Sequence, residues 1–372
     1  MRASAVSGIV FANVNDNLLK KLTAHRSIAS IPFGARYRLI DFALSNLVNA
    51  GVTSVGIITK ENYRSLMDHV GNGAQWDLDR KNGGIYLLPP YLTSGLRRYS
   101  GTVDALYGAR DYINRSGSEY IVLYNADVLM NVDIKEALNY HIENQADITM
   151  LYSGGDLYEE NRDNLHISMS SDRRITNITC ESGHNENTVS AIGVTIISSK
   201  LLLKLIKEAY DSDLVNFNRD LLISKVNTLK IYGYEHKGCV YFMNGTNSYY
   251  KASMDLLKSE VRHQLFDRTH PIFTKTRDDM PTRYGTKSEV SNSLIADGCV
   301  IEGTVKNSII FRGVKIEKGA VVENSILMQE TKVGKGAMLD NVISDKNGVI
   351  GDNMVLKGTA QKQFFVKKNQ VV

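Results

Sequence analysis

A chain of 372 residues, 43% of them apolar, is too long for a single core, so two domains are the natural expectation. A formal net charge of +4 without a long basic block gives no reason to expect nucleic acid as a partner. No apolar run approaches the ~18 residues of a membrane span. The three cysteines are scattered and lack metal-ligand spacing. We therefore expect a cytoplasmic protein with no membrane partner.

The first predicted element is a buried strand over residues 6–12, which are almost all apolar. The turn that follows, Ala12-Asn13-Val14-Asn15-Asp16-Asn17-Leu18, contains neither glycine nor cation. In nucleotide-binding α/β domains this turn is usually glycine-rich, because backbone N–H groups approach phosphate only where no Cβ intervenes. The scaffold of a nucleotide domain is therefore predicted without its phosphate cradle. The alternative, an asparagine-rich turn that binds nucleotide weakly, stays open.

From residue 1 to about 255, apolar strands alternate with amphipathic helices. Strands are predicted at 6–11, 54–59, 85–88, 120–124 and 148–152. Helical spacing follows at Leu39, Ile40, Ala43 and Leu47, and again at Ile134, Leu138, His141 and Ile142. The alternation predicts an α/β fold, a parallel or mixed sheet with helices on both faces. Ligands of such sheets bind beyond the carboxyl ends of strands, which places the opening turn and Asp127 at the mouth of the expected pocket.

The pattern changes after residue 255. An irregular stretch with Pro271 and Pro281 predicts a connector over 256–287. Apolar residues then recur every five or six positions, with glycines between them, at Val305, Ile310, Ile316, Val322, Met328, Val333, Leu339, Ile350 and Leu356. This hexad repeat predicts a parallel β-helix over 288–372, in which each coil stacks on the last.

The segment IPFGARYRLIDFALSN at 31–46 resembles VPFGGKYRIIDFPLSN of the glucose-1-phosphate adenylyltransferase (ADP-glucose pyrophosphorylase) family, and GNGAQWDLDR at 71–80 is also similar to that family. The resemblance extends over essentially the whole chain. It implies a Rossmann-like nucleotidyltransferase (GT-A-like) mixed-sheet domain at 1–255, a connector at 256–287 and a left-handed parallel β-helix at 288–372.

Several residues that carry the chemistry of this family are replaced here. The resemblance aligns the arginine of the family's phosphate loop with Leu18, a phosphate-pairing lysine with Ile28 and a sugar-phosphate lysine with Glu181. One Mg²⁺-binding aspartate matches Asp127, but its partner matches Met243, and a thioether is a poor ligand for Mg²⁺. We therefore expect no catalytic residue, no metal site and no cofactor, with Mg²⁺ needed only if the chain is an active enzyme. Asp127 is either a vestigial ligand or a residue that closes its strand.

Other matching positions retain part of the family's pattern and are candidates for a remnant of the substrate pocket. They are Gly101, Thr102 and Asp104 in GTVDA, Gly193 in AIG, and Asp220 in FNRD. Packing at the start of a helix explains each of them equally well, so both interpretations stay open.

A basic cluster, Arg26, Arg36 and Arg38, is intact around the Leu39 helix. In the family, basic residues of this region help to bind phosphorylated sugar effectors, and forked guanidiniums suit phosphate. The resemblance therefore implies an effector site. Lys367 and Lys368 of the tail either belong to this site or are simply exposed to solvent. The alternative is a solvated cluster that forms surface ion pairs.

Two functions follow from the resemblance, and the β-helix suggests a third. The first is an active adenylyltransferase that makes ADP-glucose and diphosphate from ATP and glucose 1-phosphate. The second is a non-catalytic regulatory subunit of that enzyme, similar to the GlgD type, which the lost cations and the lost aspartate favour. The third is an acyltransferase that uses the β-helix. Such enzymes usually need a catalytic histidine on the coils, and no histidine follows His270, so this function is rejected. We expect this chain to be a partner subunit of a catalytic homologue in bacterial glycogen synthesis. The two chains together would form a heterotetramer, and this chain alone would form a homodimer.

Overall fold

The computed structural model describes residues 6–90, 100–154, 165–180 and 188–372. Up to residue 255 it alternates strands and helices, as the apolar pattern predicts. The strands of this first domain are β1 (Val6–Phe11), β2 (Pro32–Phe33), β3 (Tyr37–Arg38), β4 (Ser54–Ile58), β5 (Gly84–Leu88), β6 (Tyr120–Asn125), β7 (Val128–Leu129), β8 (Ile148–Ser153), β9 (His166–Met169), β10 (Ile175–Thr179), β11 (Val189–Ser198), β12 (Ile231–Glu235) and β13 (Tyr241–Phe242).

The helices of the first domain and the connector are α1 (Lys20–Thr23), α2 (Leu39–Asn49), α3 (Arg64–Val70), α4 (Thr102–Gly108), α5 (Arg110–Ser116), α6 (Ile134–Glu143), α7 (Ser199–Asp211), α8 (Ile223–Lys225), α9 (Thr246–Asp255) and α10 (Ser259–Leu265). Short 3₁₀ turns lie at Asp16–Leu19, Ile28–Ser30 and Ala74–Trp76, and a π-helical turn at Phe217–Leu222. In the described part of the chain, no helix has the length and apolar character that a bilayer crossing requires.

A nine-stranded mixed sheet forms the centre of the first domain. Strand β1 pairs in parallel with β4 on one side and β6 on the other, and β11 continues the sheet antiparallel to β6. Successive residues of β1 enter different apolar clusters: Ile9 packs on one face of the sheet and Val10 on the other. Strands β1 and β6 are parallel, and Phe11 pairs with Asn125 at their carboxyl ends. The turns that follow the two strands therefore meet at the same edge of the sheet.

The C-terminal domain is a left-handed parallel β-helix, which confirms the predicted fold class. Its strands stack into three parallel sheets of five. They are β14 (Arg283–Tyr284), β15 (Glu289–Ser291), β16 (Leu294–Ile295), β17 (Val300–Ile301), β18 (Thr304–Lys306), β19 (Ile309–Ile310), β20 (Lys315–Ile316), β21 (Val321–Glu323), β22 (Ile326–Leu327), β23 (Lys332–Val333), β24 (Met338–Asp340), β25 (Val342–Ser344), β26 (Val349–Ile350), β27 (Val355–Lys357) and β28 (Phe364–Val366).

The stacking register differs from the sequence pattern at two places. Strand β14 already belongs to the first coil, although it lies within the predicted connector 256–287, five residues before 288. Leu327 stacks on Ile310 in the core of the β-helix, where the hexad count expects Met328. Met328 instead packs in the apolar cluster shared with the first domain, because one side of the coil advances by five residues and not six.

The two domains share an apolar core. Ile28 and Phe33 of the first domain pack in one cluster with Phe311 and Ile343 of the β-helix. Hydrogen bonds cross the same junction, for example from the Tyr250 hydroxyl to the carbonyl of Asn324 at 2.7 Å. The β-helix therefore docks beside the opening turn of the first domain and forms clefts with it.

Candidate functional site

The opening turn after β1 is held in place by its own side chains. The amide of Asn13 donates to Asp16 Oδ2 at 2.6 Å, and the backbone N–H of Ile28 donates to Asp16 Oδ1 at 2.8 Å. The backbone N–H of Lys60 donates to Asn13 Oδ1 at 2.8 Å. Asn15 adopts the left-handed conformation, with φ at 60°, which asparagine tolerates. The Asp16 carboxylate therefore accepts the hydrogen bonds that fix this turn.

The charge of Asp16 is unfavourable for phosphate. The pKa of this carboxyl is raised to about 6, mainly by burial and to a smaller extent by repulsion from Asp127 and Glu61, although hydrogen bonds from Ile28 and Asn13 lower it in part. At neutral pH the group is still mainly ionised. The turn therefore presents a carboxylate in the region where a nucleotidyltransferase holds the triphosphate.

Asp127 and Met243 lie side by side at this edge. The backbone N–H of Met243 donates to the carbonyl of Asp127 at 2.8 Å, and both side chains are almost fully buried. Asp127 Oδ2 also accepts a hydrogen bond from the Asn15 amide at 2.8 Å. One amide-bonded carboxylate and one thioether do not fit Mg²⁺, which needs hard oxygen donors in near-octahedral geometry. Across the described ranges, no group of three or more His, Cys, Asp or Glu residues could hold a metal ion.

The structure places two of the other replaced positions at the junction with the β-helix. Ile28 is fully buried in the core between the domains, and its backbone N–H is the one bonded to Asp16. Leu18 is half-buried and borders a cleft toward the β-helix. Glu181 lies outside the described residues.

A cleft opens at the carboxyl ends of the strands, as expected for this sheet. Its lining includes Asn15, Thr102, Asn125, Gly193, Asn216 and Arg219. The Thr102 hydroxyl accepts a hydrogen bond from the backbone N–H of Phe217 at 2.8 Å, which joins two loops of the wall. Gly193 has φ at +72°, and a Cβ there would lie 3.1 Å from Asn125 Cβ, so a side chain would strain the backbone and narrow the cleft. Arg219 is the cation among the described lining residues.

Two further positions of the predicted pocket remnant support the wall from behind. A Cβ on Gly101 would lie 2.3 Å from the carbonyl oxygen of Val215, so only glycine fits there. Asp104 Oδ2 accepts hydrogen bonds from the backbone N–H and the hydroxyl of Ser100, at 2.9 and 2.5 Å, at the start of α4. These contacts give both residues a local structural role, and their part in binding stays a prediction.

Asp220 closes the loop before the π-helical turn. Its Oδ2 accepts hydrogen bonds from the backbone N–H groups of Asn216, at 2.7 Å, and Val215, at 3.1 Å. Burial raises the pKa of this carboxyl, but these hydrogen bonds and the neighbouring Arg219 bring it below the ordinary value. The carboxylate thus orders the chain that carries Asn216 into the cleft wall.

Comparison with known proteins agrees with the two domains of the fold. The nucleotidyl transferase family model matches residues 17–212, and the GlmU-like C-terminal hexapeptide model matches 278–372. The chain is 40% identical over 366 residues to the glycogen biosynthesis protein GlgD of Geobacillus stearothermophilus, covering 98% of this chain and 96% of the relative. It is 37% identical over 365 residues to GlgD of Bacillus subtilis (strain 168), with the same coverage. It is 32% identical over 318 residues to the glucose-1-phosphate adenylyltransferase of Geobacillus stearothermophilus, covering 84% of this chain and 82% of the relative.

The chain belongs to the family of GlgD and glucose-1-phosphate adenylyltransferase. This confirms the resemblance on which the residue matches rest. Within the family, the matches to the two GlgD proteins cover more of the chain, at higher identity, than the match to the adenylyltransferase.

The three arginines that the family resemblance singles out have different surroundings. Arg26 is buried, and its guanidinium donates to both carboxylate oxygens of Asp345 on the β-helix, at 2.7 and 2.9 Å. Arg38 is half-buried and donates to the carbonyl and the hydroxyl of Ser65, at 2.6 and 2.9 Å. Burial lowers the pKa of Arg38 to about 10, so it stays protonated at neutral pH. Arg36 is exposed. Arg26 is therefore bound to the β-helix and Arg38 to Ser65, while Arg36 is exposed.

Sequence reasoning missed Lys346, a cation of the β-helix. The pKa of its ammonium is lowered to about 7, mainly by burial and to a smaller extent by the positive charges of Arg38, Arg26 and Lys368, while the Asp345 carboxylate raises it in part. Lys346 therefore lies among cations of both domains and beside the Asp345 carboxylate, which accepts a hydrogen bond from the Lys346 backbone N–H at 2.7 Å and is paired with Arg26. A neighbouring cleft is lined by Lys20, Lys21, Ala24, His25, Asp345, Phe365, Lys367 and Lys368, so one carboxylate lies among its basic residues. Nothing in the hexad repeat marks Lys346, because two of its charged neighbours, Arg26 and Arg38, come from the other end of the chain.

Proposed function

We propose that this chain is a regulatory, catalytically inactive subunit of a glucose-1-phosphate adenylyltransferase in bacterial glycogen synthesis. The observation that carries this proposal is the opening turn, in which the Asp16 carboxylate takes the hydrogen bonds of Asn13 and Ile28 where a phosphate cradle belongs. The identity of 40% and 37% to two glycogen biosynthesis proteins GlgD supports it.

The physical basis is the electrostatics of nucleotidyl transfer. The reaction needs cations and a metal where negative charge develops on the phosphates. Here Leu18 and Ile28 supply no charge, and Asp16 supplies charge of the wrong sign. Asp127 lacks a second carboxylate to hold a metal with it, because Met243 occupies the matching position. A chain with this pocket contributes to the reaction through a partner, by coupling across a shared interface that raises turnover or changes effector sensitivity.

The second candidate is an active adenylyltransferase that makes ADP-glucose and diphosphate from ATP and glucose 1-phosphate. The cleft that retains Thr102 and Gly193 favours it, as does the 32% identity to a glucose-1-phosphate adenylyltransferase. This function would require Mg²⁺, whereas the regulatory function requires no cofactor in this chain.

The proposed partner is a catalytic glucose-1-phosphate adenylyltransferase subunit, in a heterotetramer, with a homodimer as the form of the isolated chain. A phosphorylated sugar is the proposed effector. Arg38, Lys346 and Lys368 support this, because their positive charges converge at the junction of the domains beside an open cleft. Arg36 adds an exposed guanidinium on the β2–β3 hairpin.

The test is an assay of diphosphate release from ATP, glucose 1-phosphate and Mg²⁺. We expect the purified chain to show no turnover alone, and to change the rate or the effector response of a catalytic homologue when the two are mixed. Serum albumin at the same concentration controls for nonspecific protein effects. Turnover by the chain alone within the usual enzyme range of ~1–10³ s⁻¹ would establish the second candidate. An unchanged rate and effector response in the mixture would refute the regulatory proposal.

A further inference from the structure

The outer faces of the three β-helix sheets differ in character. The sheet β16-β19-β22-β25-β28 lies against the first domain, because Ile309, Ile326 and Ile343 of its strands enter the apolar core that the two domains share. The sheet β14-β17-β20-β23-β26 presents exposed cations, among them Lys315 and Lys332. The third sheet, β15-β18-β21-β24-β27, instead presents exposed apolar side chains on its outer face.

An apolar column on this third face consists of Val321, Met338 and Val355. Strands β21, β24 and β27 are parallel and in register, so these three side chains stack on one another, one from each coil. Met338 is 54% exposed and Val355 is 63% exposed. The next residues of two of these strands, Val322 and Leu339, are buried in the β-helix core, so the column points outward. A contiguous apolar surface of this kind, unlike a single exposed side chain, marks an interaction surface.

A column of charges runs beside the apolar column, at the third position of the same strands. In coil order it consists of Lys306, Glu323, Asp340 and Lys357. The Asp340 carboxylate accepts hydrogen bonds from the side-chain amides of Asn324 and Asn341, at 2.9 and 2.8 Å. Glu323 and Lys357 are two strands apart, roughly 10 Å, so they do not form an ion pair within one chain. The charges along the column therefore follow the order plus, minus, minus, plus.

This face is complementary to a second copy of itself in one register. A two-fold axis that runs parallel to the strands sets each column against the same column of the second copy, in reversed coil order. With the axis at Met338, Val321 lies opposite Val355 of the second copy, so apolar side chains meet on all three coils. In the same register Glu323 lies opposite Lys357 of the second copy, once on each side of the axis. The pairing therefore has an apolar centre and two flanking ion pairs.

Neighbouring registers are less favourable. An axis between β21 and β24 would set Glu323 against Asp340, which are both carboxylates. An axis at Val321 would set Val355 against Glu289, a charge against an apolar side chain. In the favoured register the two Asp340 carboxylates face each other, but each already accepts two amide hydrogen bonds. Charge and apolar pattern thus select the same antiparallel arrangement.

We propose that two copies of this chain associate through the outer face of β15-β18-β21-β24-β27, antiparallel, with the two-fold axis at Met338. The inference rests on the homodimer proposed above for the isolated chain and names the surface that forms it. Five strands of two or three residues give a face of roughly 10 by 20 Å. This is small beside the ~800 Å² that each partner buries in a standard interface, so the dimer is weak and dissociates at micromolar concentrations.

Sedimentation equilibrium of the full-length chain, at concentrations from about 1 to about 200 μM, measures this association. We expect Met338→Glu to raise the dissociation constant at least tenfold, because two carboxylates then meet at the axis. Glu323→Lys and Lys357→Glu should each raise it about tenfold, since each change sets like charges opposite one another twice. The double variant with both changes re-forms the two pairs and should regain most of the affinity of the parent. Glu317→Lys, the same charge change on an exposed residue beside β20, is the matched control and should leave the dissociation constant unaltered.

The outcomes distinguish this surface from the dimer itself. A dimer that Met338→Glu leaves intact overturns the surface and keeps the homodimer. A chain that stays monomeric throughout overturns both, and if Met338→Glu then abolishes binding to a catalytic homologue, the face belongs to that partner. A double variant no tighter than the single variants overturns the antiparallel register.

Thermal unfolding of each variant separates a lost contact from a lost fold. The substituted side chains are at least partly exposed, so the melting temperatures of the variants should stay close to that of the parent. None of these results bears on the regulatory function, which the diphosphate assay tests by itself.

Discussion

The guanidinium of Arg26 and the carboxylate of Asp345 form a buried ion pair between the two domains. One nitrogen, Nη2, donates to both carboxylate oxygens, at 2.7 and 2.9 Å, although 319 positions separate the two residues in the chain. The pair lies in the junction that also contains the shared apolar core, where Arg26 Nη1 is 4.0 Å from the Met328 sulfur. Arg26 therefore links the opening segment to the β-helix, in addition to the effector role that the family resemblance predicts for it.

The first prediction concerns the stability of this pair. Asp345→Ala leaves the Arg26 guanidinium buried without a counter-charge, and such losses cost about 3–5 kcal/mol of the free energy of unfolding. Urea denaturation followed by circular dichroism measures the change. Lys306→Ala is the control, since it removes an exposed ion pair with Glu323, 3.9 Å apart, that contributes at most about 1 kcal/mol.

The same pair predicts a nonadditive double variant. In Arg26→Met combined with Asp345→Leu, no buried charge remains, so the loss of stability should be smaller than in Asp345→Ala alone. A loss equal to the sum of the single losses would show that the two side chains do not interact in the folded protein.

The fold could be predicted from the sequence because its signals are local. Buried strands such as β1 and β4 show as apolar runs, and the β-helix core shows as a hexad repeat through Ile316, Val333 and Ile350, which stack in register. The register error at Met328 has a physical reason. This coil contributes side chains to two cores, the core of the β-helix and the core shared with the first domain. The adjacent apolar residues at 326–328 therefore satisfy the repeat equally well, and only the packing of the first domain shows which residue enters which core.

The site could be predicted only in part, because its decisive contacts are long-range. The replacements at Leu18, Ile28 and Met243 are visible by matching to a family. The hydrogen bond from Asn15 to Asp127 joins residues 112 positions apart, and no spacing rule encodes it. The buried amide of Asn244 has no hydrogen-bond partner among the described residues, which is equally invisible in a sequence, since whether a side chain has a partner depends on packing alone.

The second prediction concerns pH and Asp16. The pKa of this carboxyl is raised from 3.8 in the unfolded chain to about 6 in the folded one, mainly by burial. The folded protein therefore binds more protons than the unfolded chain between these values, and the contribution of Asp16 to stability is complete below about pH 4 and falls as the pH rises through 6.

Comparison with Asp16→Asn isolates this contribution, because asparagine does not ionise. The difference in the free energy of unfolding, variant minus parent, should increase by up to about 3 kcal/mol from pH 4 to pH 7, the equivalent of about two pKa units, and then stay constant. Urea denaturation at each pH measures it. A difference that is independent of pH, or that decreases, would contradict the raised pKa.

The third prediction tests the metal chemistry at Met243. Met243→Asp places a second carboxylate beside buried Asp127, so without metal the variant should lose roughly 2–5 kcal/mol of stability. Millimolar Mg²⁺ should recover part of this loss, because binding to the folded state alone stabilises it by about 2.7 kcal/mol at a hundredfold excess over Kd. Thermal unfolding with and without Mg²⁺ measures the recovery.

Met243→Leu is the matched control for that experiment. It keeps the apolar volume, should cost less than about 1.5 kcal/mol, and should not respond to Mg²⁺. If Mg²⁺ stabilised the parent chain as much as Met243→Asp, the existing residues would already hold the ion. That result would support the second candidate function, an active adenylyltransferase.

The last prediction addresses the proposed effector site through Arg38. Arg38→Glu reverses a positive charge that acts on both Lys346 and Arg26, so a phosphorylated sugar bound among these cations would lose one favourable contact and meet a repulsive one. In the mixture with a catalytic subunit, we expect at least a tenfold rise in the hexose phosphate concentration that gives half of the response, consistent with about 1.5–3 kcal/mol for a hydrogen bond to a charged group.

Arg115→Glu makes the same charge change at the exposed end of α5 and should leave that concentration unaltered. Arg38→Gln separates charge from structure, since it retains an amide donor for the Ser65 carbonyl but carries no positive charge. A response weakened in both Arg38 variants assigns the guanidinium to the effector. A normal response in both would mean that Arg38 serves only to hold α3 against the β2–β3 hairpin, through the two hydrogen bonds to Ser65.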